Sequence, residues 1–121
     1  MKKNSALWRR AFFAGHGLWV AAREEASFRA ELLAVVVGVI LLYWTQASLI
    51  WWGVGILLMG AVLAAELLNS AVESLADLVN PEYHPLVARA KDYGAAAVLV
   101  LSIAAVLIAA LLLWRRFHTG F

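Results

Sequence analysis

Four polar side chains, Glu66, Asn69, Glu73 and Asp77, interrupt the apolar stretch AAELLNSAVESLADL at residues 64–78. Spacings of three, four and four positions place them on one face of a helix, where Ser70 can take the place of Asn69 in the pattern. A carboxylate set in apolar sequence loses hydration, which disfavours its charge and makes it a stronger base. Carboxylates nearer water stay charged, and such hard oxygen donors suit a divalent cation that already carries phosphate oxygens. Glu24 and Glu25 precede one apolar run, and Arg89, Lys91 and Asp92 precede another. A deep base (Glu66), two candidate metal ligands (Glu25 and Glu73) and a cation for phosphate (Lys91 or Arg89) describe phosphoryl transfer to a hydroxyl nucleophile. Two other readings use the same residues. Glu66 could carry a proton in a small ion-coupled membrane transporter, or the polar set could be glue between helices. Neither a P-loop nor a kinase Gly-rich loop occurs in the chain.

The elements that must hold these residues are membrane elements. Of 121 residues, 64% are hydrophobic and 15% charged, with a mean hydropathy of +0.82. Soluble domains are roughly half apolar and about a quarter charged, so the chain reads as an integral membrane protein. The net charge of +2 is spread over basic residues at the borders of apolar runs, where anionic headgroups attract them. Cysteine is absent, which excludes disulfides, thiolate nucleophiles and cysteine-held metals. The basic, partly apolar N-terminus resembles a signal peptide at first, but Arg9 and Arg10 interrupt it, and it reads as part of the mature protein.

A single all-α domain over residues 1–121 is expected. Residues of about 5–24 form an amphipathic surface helix with Trp8, Phe12, Phe13 and Trp19 at headgroup depth. Gly15 and Gly17 weaken its middle, so a bend or break is expected there. Residues 32–65 carry no charge over 34 positions. As one helix they would extend about 50 Å against a hydrocarbon core of about 30 Å. A turn is therefore expected in YWTQASLIWW, whose aromatics suit an interfacial belt. The spans fall at about 28–45, 48–78 and 86–114, with NPEYHP breaking the chain before the third. Lys2, Lys3, Arg9, Arg10, Arg23, Arg29, Arg89 and Lys91 then share one side, against Arg115 and Arg116 on the other. That bias places the N-terminus, the NPEYHP loop and all the acidic residues towards the cytoplasm.

Three motifs, EEASFRAE at 24–31, AAELLNSAVESLADL at 64–78 and EYHPLVARAKDYGAAAVL at 82–99, resemble those of the prokaryotic integral-membrane diacylglycerol kinases, in order and spacing. The resemblance implies a homotrimer in the bacterial inner membrane, each subunit having a surface helix and three transmembrane helices. It implies transfer of the γ-phosphoryl group of MgATP to diacylglycerol, giving phosphatidic acid, at cytoplasmic sites shared between neighbouring subunits. On this resemblance Glu66 matches the catalytic base and Asn69 an amide close to the reacting groups. Glu25 and Glu73 match the Mg²⁺ ligands. Asp77, Lys91 and Asp92 match positions for nucleotide binding or site organisation, and Arg10 is a candidate nucleotide contact on the surface helix. Pro85 departs from the diacylglycerol kinase pattern and is similar to that of related undecaprenol kinases, so undecaprenol is the alternative lipid substrate. Small residues in the third span, such as Ala95, Ala96, Ala104 and Ala105, permit close helix contact.

Overall fold

The computed structural model describes residues 3–119, with side chains from Ala6 onward. Lys2 and the side chain of Lys3, counted above among the basic residues, lie outside the described residues. Four helices follow in order: α1 (Lys3–Glu24), α2 (Ala26–Trp44), α3 (Leu49–Val79) and α4 (Pro85–His118). The described chain is all-α, and α2, α3 and α4 are each long and apolar enough to cross a membrane.

Of the bend or break expected at Gly15 and Gly17, the break is not there: α1 is one continuous helix. Each glycine costs a helix about 1 kcal/mol relative to alanine, which the other residues of a 22-residue helix carry. The chain breaks instead at Glu25, whose backbone is extended (φ −105°, ψ 109°). Arg29 reaches back across this junction and donates to the carbonyls of Arg23 (2.8 Å) and Ala22 (3.3 Å). These belong to the last turn of α1, where helical partners run out and a cation is favoured.

The turn between α2 and α3 lies where the aromatic-flanked polar residues suggest. Gln46 takes a positive φ of 53°. Beside it, fully buried Thr45 donates its hydroxyl to the Leu41 carbonyl at 2.6 Å and closes α2. Between α3 and α4, His84 is extended and its Nδ1 accepts the Leu86 amide at 3.1 Å. Pro85 then opens α4, at a position where its missing N–H leaves no helical bond unmade.

The three long helices alternate in direction, and side-chain contacts mark both ends. At one end Trp44 meets Phe117, with ring centroids 5.9 Å apart, and the Arg116 guanidinium lies 5.7 Å from the Trp44 ring. At the other, Ser27 meets Glu66 and Asp77 meets Lys91. α3 is the central element, packed most extensively on α4 and then on α2, while α1 leans on α2. Gly55 permits the α2–α3 approach: a Cβ there would stand 2.9 Å from Leu42 Cδ1. The core of a single chain is thin. Ala21, Phe28, Leu42, Val62 and Leu112 are buried together with two polar residues, Thr45 and Glu66. Most large apolar side chains face outward, as suits a helix set surrounded by lipid or further subunits.

Helix length sorts the polar residues by depth. The 19 residues of α2 extend about 29 Å, close to the hydrocarbon thickness. The 31 residues of α3 extend about 47 Å and must overhang it. With Leu49 at one boundary, Glu66 stands about 26 Å along the axis, Glu73 about 36 Å and Asp77 about 42 Å. Against a core of about 30 Å, Glu66 lies just inside the hydrocarbon and the other two lie beyond it.

Candidate active site

Glu66 is the buried end of the polar face, with 5% of its surface exposed. A carboxylate at this depth requires a partner, and α2 supplies one. Ser27, in the first turn of α2, donates its hydroxyl to Glu66 Oε1 at 2.5 Å. Glu31, one turn further along α2, lies close enough for its charge to interact with that of Glu66. The α2–α3 contact therefore assembles Ser27, Glu31 and Glu66 although 39 residues separate the hydrogen-bonded pair.

One turn towards water, Asn69 Nδ2 donates to Glu73 Oε1 at 3.3 Å. The other end of this amide is tightly held. Asn69 Oδ1 is buried and has no hydrogen-bond partner among the described residues. It faces Gly94 of α4, where a Cβ would stand only 2.3 Å from it. The absence of a side chain at Gly94 thus makes the seat in which Asn69 lies against α4. Further out, Lys91 Nζ and Asp77 Oδ1 form an ion pair at 2.5 Å between α4 and α3. Both side chains are substantially exposed, at 38% and 63%. Such pairs contribute about 0–1 kcal/mol, so the Lys91–Asp77 pair is a weak tie between α4 and α3.

The structure therefore joins Asn69 to Glu73 and Asp77 to Lys91, and holds Glu66 through Ser27. It does not join the remaining expected site residues to these pairs. Glu25 sits half-buried at the α1–α2 junction, while Asp92 and Arg10 are exposed. No hydrogen bond or ion pair among the described residues links Glu25, Asp92 or Arg10 to the α3 cluster. Arg10 is also about 22 Å from Glu25 along the α1 axis. Nor do three acidic or histidine side chains converge, among the described residues, into an all-protein metal cage. The donor chemistry still fits Mg²⁺. Glu73 offers exposed carboxylate oxygen, held by Asn69 Nδ2, and Mg²⁺ is commonly held by one or two carboxylates plus substrate phosphates.

Sequence reasoning passed over Ser27, Glu31 and Gly94. Ser27 and Glu31 are spaced i, i+4 on the face that meets α3, a signal present in EEASFRAE. The role of Gly94 depends on which residue α4 places opposite it, which spacing within α4 does not encode.

A Gly94→Ala substitution tests the seat. Helix propensity favours alanine by about 1 kcal/mol, and the displaced atom is the far end of a side chain rather than backbone. Thermal stability in detergent should hold or rise slightly, while turnover falls by about tenfold or more as Asn69 leaves Glu73. Wild-type turnover in this variant would show that the Asn69 position does not matter.

Comparison with known proteins places the chain in a family. The family model for prokaryotic diacylglycerol kinase matches residues 12–113. The diacylglycerol kinase of Escherichia coli (strain K12) is 40% identical over 107 residues, covering 88% of each chain. The undecaprenol kinase of Bacillus subtilis (strain 168) is 36% identical over 99 residues, covering 82% of this chain and 80% of that one. A diacylglycerol kinase of Helicobacter pylori (strain ATCC 700392 / 26695) is 32% identical over 94 residues, covering 78% and 73%. With its motifs, its helices and these relatives in agreement, the chain belongs to the prokaryotic diacylglycerol kinase family, as a multi-pass membrane protein.

Proposed function

We propose that the chain is an ATP-dependent lipid kinase that transfers the γ-phosphoryl group of MgATP to the hydroxyl of diacylglycerol, giving phosphatidic acid. The observation that carries this reading is the placement of buried Glu66 between apolar and polar surroundings. An apolar groove lined by Ala30, Ala34, Met59, Val62, Ala109 and Leu112 runs between α2, α3 and α4. Ala30 and Val62 lie one helical turn from Ser27 and Glu66, so the groove ends beside the carboxylate. An acyl chain in the groove brings a lipid hydroxyl to Glu66 from the membrane side. Glu73, Asp77 and Lys91 face the other way, towards water.

The chemistry follows from that division. Glu66 accepts the proton of the lipid hydroxyl as its oxygen bonds to the γ-phosphorus; the bond from that phosphorus to the β–γ bridging oxygen breaks, and ADP leaves. Bound Mg²⁺ would supply charge neutralisation on the nucleotide phosphates. Glu73 and Glu25 are its proposed ligands. Asn69 keeps Glu73 in place. Lys91 neutralises phosphate, and Asp77, Asp92 and Arg10 contribute to nucleotide binding or site organisation. Since Glu25, Asp92 and Arg10 stand apart from the α3 cluster within one chain, a homotrimer with sites shared between neighbours is the arrangement that completes the set. The basic bias of the loops puts this end, with the N-terminus, on the cytoplasmic side of the bacterial inner membrane.

Diacylglycerol is favoured over undecaprenol by the longer and more identical match to the Escherichia coli enzyme. An ion-coupled transporter would require polar residues through the outer half of the spans. That half is built mainly of Ala, Leu, Val, Ile, Gly and Trp.

Purified protein given labelled MgATP and a panel of diacylglycerol, undecaprenol and ceramide should label diacylglycerol fastest. Folded protein that labels neither diacylglycerol nor undecaprenol would exclude the kinase reading, and faster labelling of undecaprenol would change the lipid. Glu66→Gln should lower turnover by about two to four orders of magnitude, the range of a general base, with assembly intact. Wild-type turnover would exclude that role. Glu73→Gln should shift the Mg²⁺ activation curve to higher concentration, and an unchanged curve would remove Glu73 as a ligand.

A further inference from the structure

Ser27 stands in the first turn of α2, where the break at Glu25 leaves no carbonyl of its own helix one turn back. Its hydroxyl donates across the α2–α3 interface to Glu66 Oε1 at 2.5 Å. The serine hydroxyl is the donor and the carboxylate oxygen the acceptor. The separation is that of a short O–H···O hydrogen bond.

The bond settles how Glu66 is aimed. A glutamate side chain has several rotatable bonds, and a hydrogen bond to a neighbouring helix restricts them. With Oε1 anchored on Ser27, the carboxylate is held against rotation. Among the described residues no hydrogen bond engages Oε2. The apolar groove ends on the same two helices, one turn from Ser27 and Glu66. The anchored carboxylate thus stands where a lipid hydroxyl enters.

We infer that Ser27 is a positioning residue for phosphoryl transfer, whose hydroxyl anchors Glu66 Oε1 so that Oε2 receives the proton of the lipid hydroxyl. The inference rests on the proposed role of Glu66 as base. Ser27 itself gains and loses nothing in the reaction, and the transferred proton ends on Glu66.

The test compares Ser27→Ala, Ser27→Thr and Glu66→Gln in the full chain, with a short-chain diacylglycerol in detergent micelles and MgATP. Loss of a hydrogen bond to a charged group corresponds to about ten- to hundredfold in rate. Ser27→Ala should lose that much kcat, with KM for both substrates within about twofold of wild type, and Ser27→Thr should restore kcat to within about threefold. Wild-type kcat in Ser27→Ala would overturn the inference. So would a change confined to KM, or a loss that threonine does not rescue in protein of wild-type thermal stability. Glu66→Gln separates the two ideas. If it is inactive while Ser27→Ala is not impaired, the anchor fails and the base reading stands. If it turns over normally, the base reading fails and the anchor with it.

Discussion

The arrangement depends on how a carboxylate is kept inside the apolar part of a membrane helix. Removing a charge from water costs several kcal/mol even after the surroundings relax, and Glu66 is almost wholly buried. The chain meets this constraint locally, with a serine hydroxyl from the neighbouring helix and a position within about one turn of the hydrocarbon boundary. The same constraint orders what surrounds it. α2 must approach α3 closely enough for Ser27 to reach, which Gly55 permits further along the pair by making room for Leu42. α3 must overhang the membrane, so that its remaining polar residues emerge where charge is cheap.

That overhang turns one helical face into a graded series. Along α3 the surroundings pass from apolar groove, to buried carboxylate, to an amide–carboxylate pair, to an exposed ion pair with α4. A lipid kinase must bring together two substrates that share no solvent, and under the proposed function this gradient would give each its own approach. The contacts with α4 hold the polar end of the series in place. Gly94 seats Asn69, and Lys91 pairs weakly with Asp77.

Much of this was legible in the sequence because it depends on periodicity and length. The spacing of Glu66, Asn69, Glu73 and Asp77 defines a shared face, and a charge-free run of 34 residues is too long for one span. The turn then falls among polar residues flanked by aromatics. What was not legible depends on contacts between helices. Ser27 is an ordinary small polar residue until α2 places it against Glu66, and Gly94 is one of eight glycines until Asn69 fills the space beside it. Local propensity misled at Gly15 and Gly17, because two modest penalties do not interrupt a long helix. Glu25, Asp92 and Arg10 match a family pattern that the contacts within one chain do not bring together.

The gradient along α3 is the central claim, and it can be measured directly because the chain contains no cysteine. Leu68, Leu75 and Leu78 all point outward, at 68%, 62% and 80% exposure. A nitroxide attached through a single cysteine at each position, in protein reconstituted into bilayers, reports depth by its relative collisions with oxygen and a water-soluble nickel complex. The account predicts that oxygen dominates at position 68, that the nickel complex dominates at 78, and that 75 lies between them. Equal ratios at all three positions would place the whole polar face at one depth and contradict it.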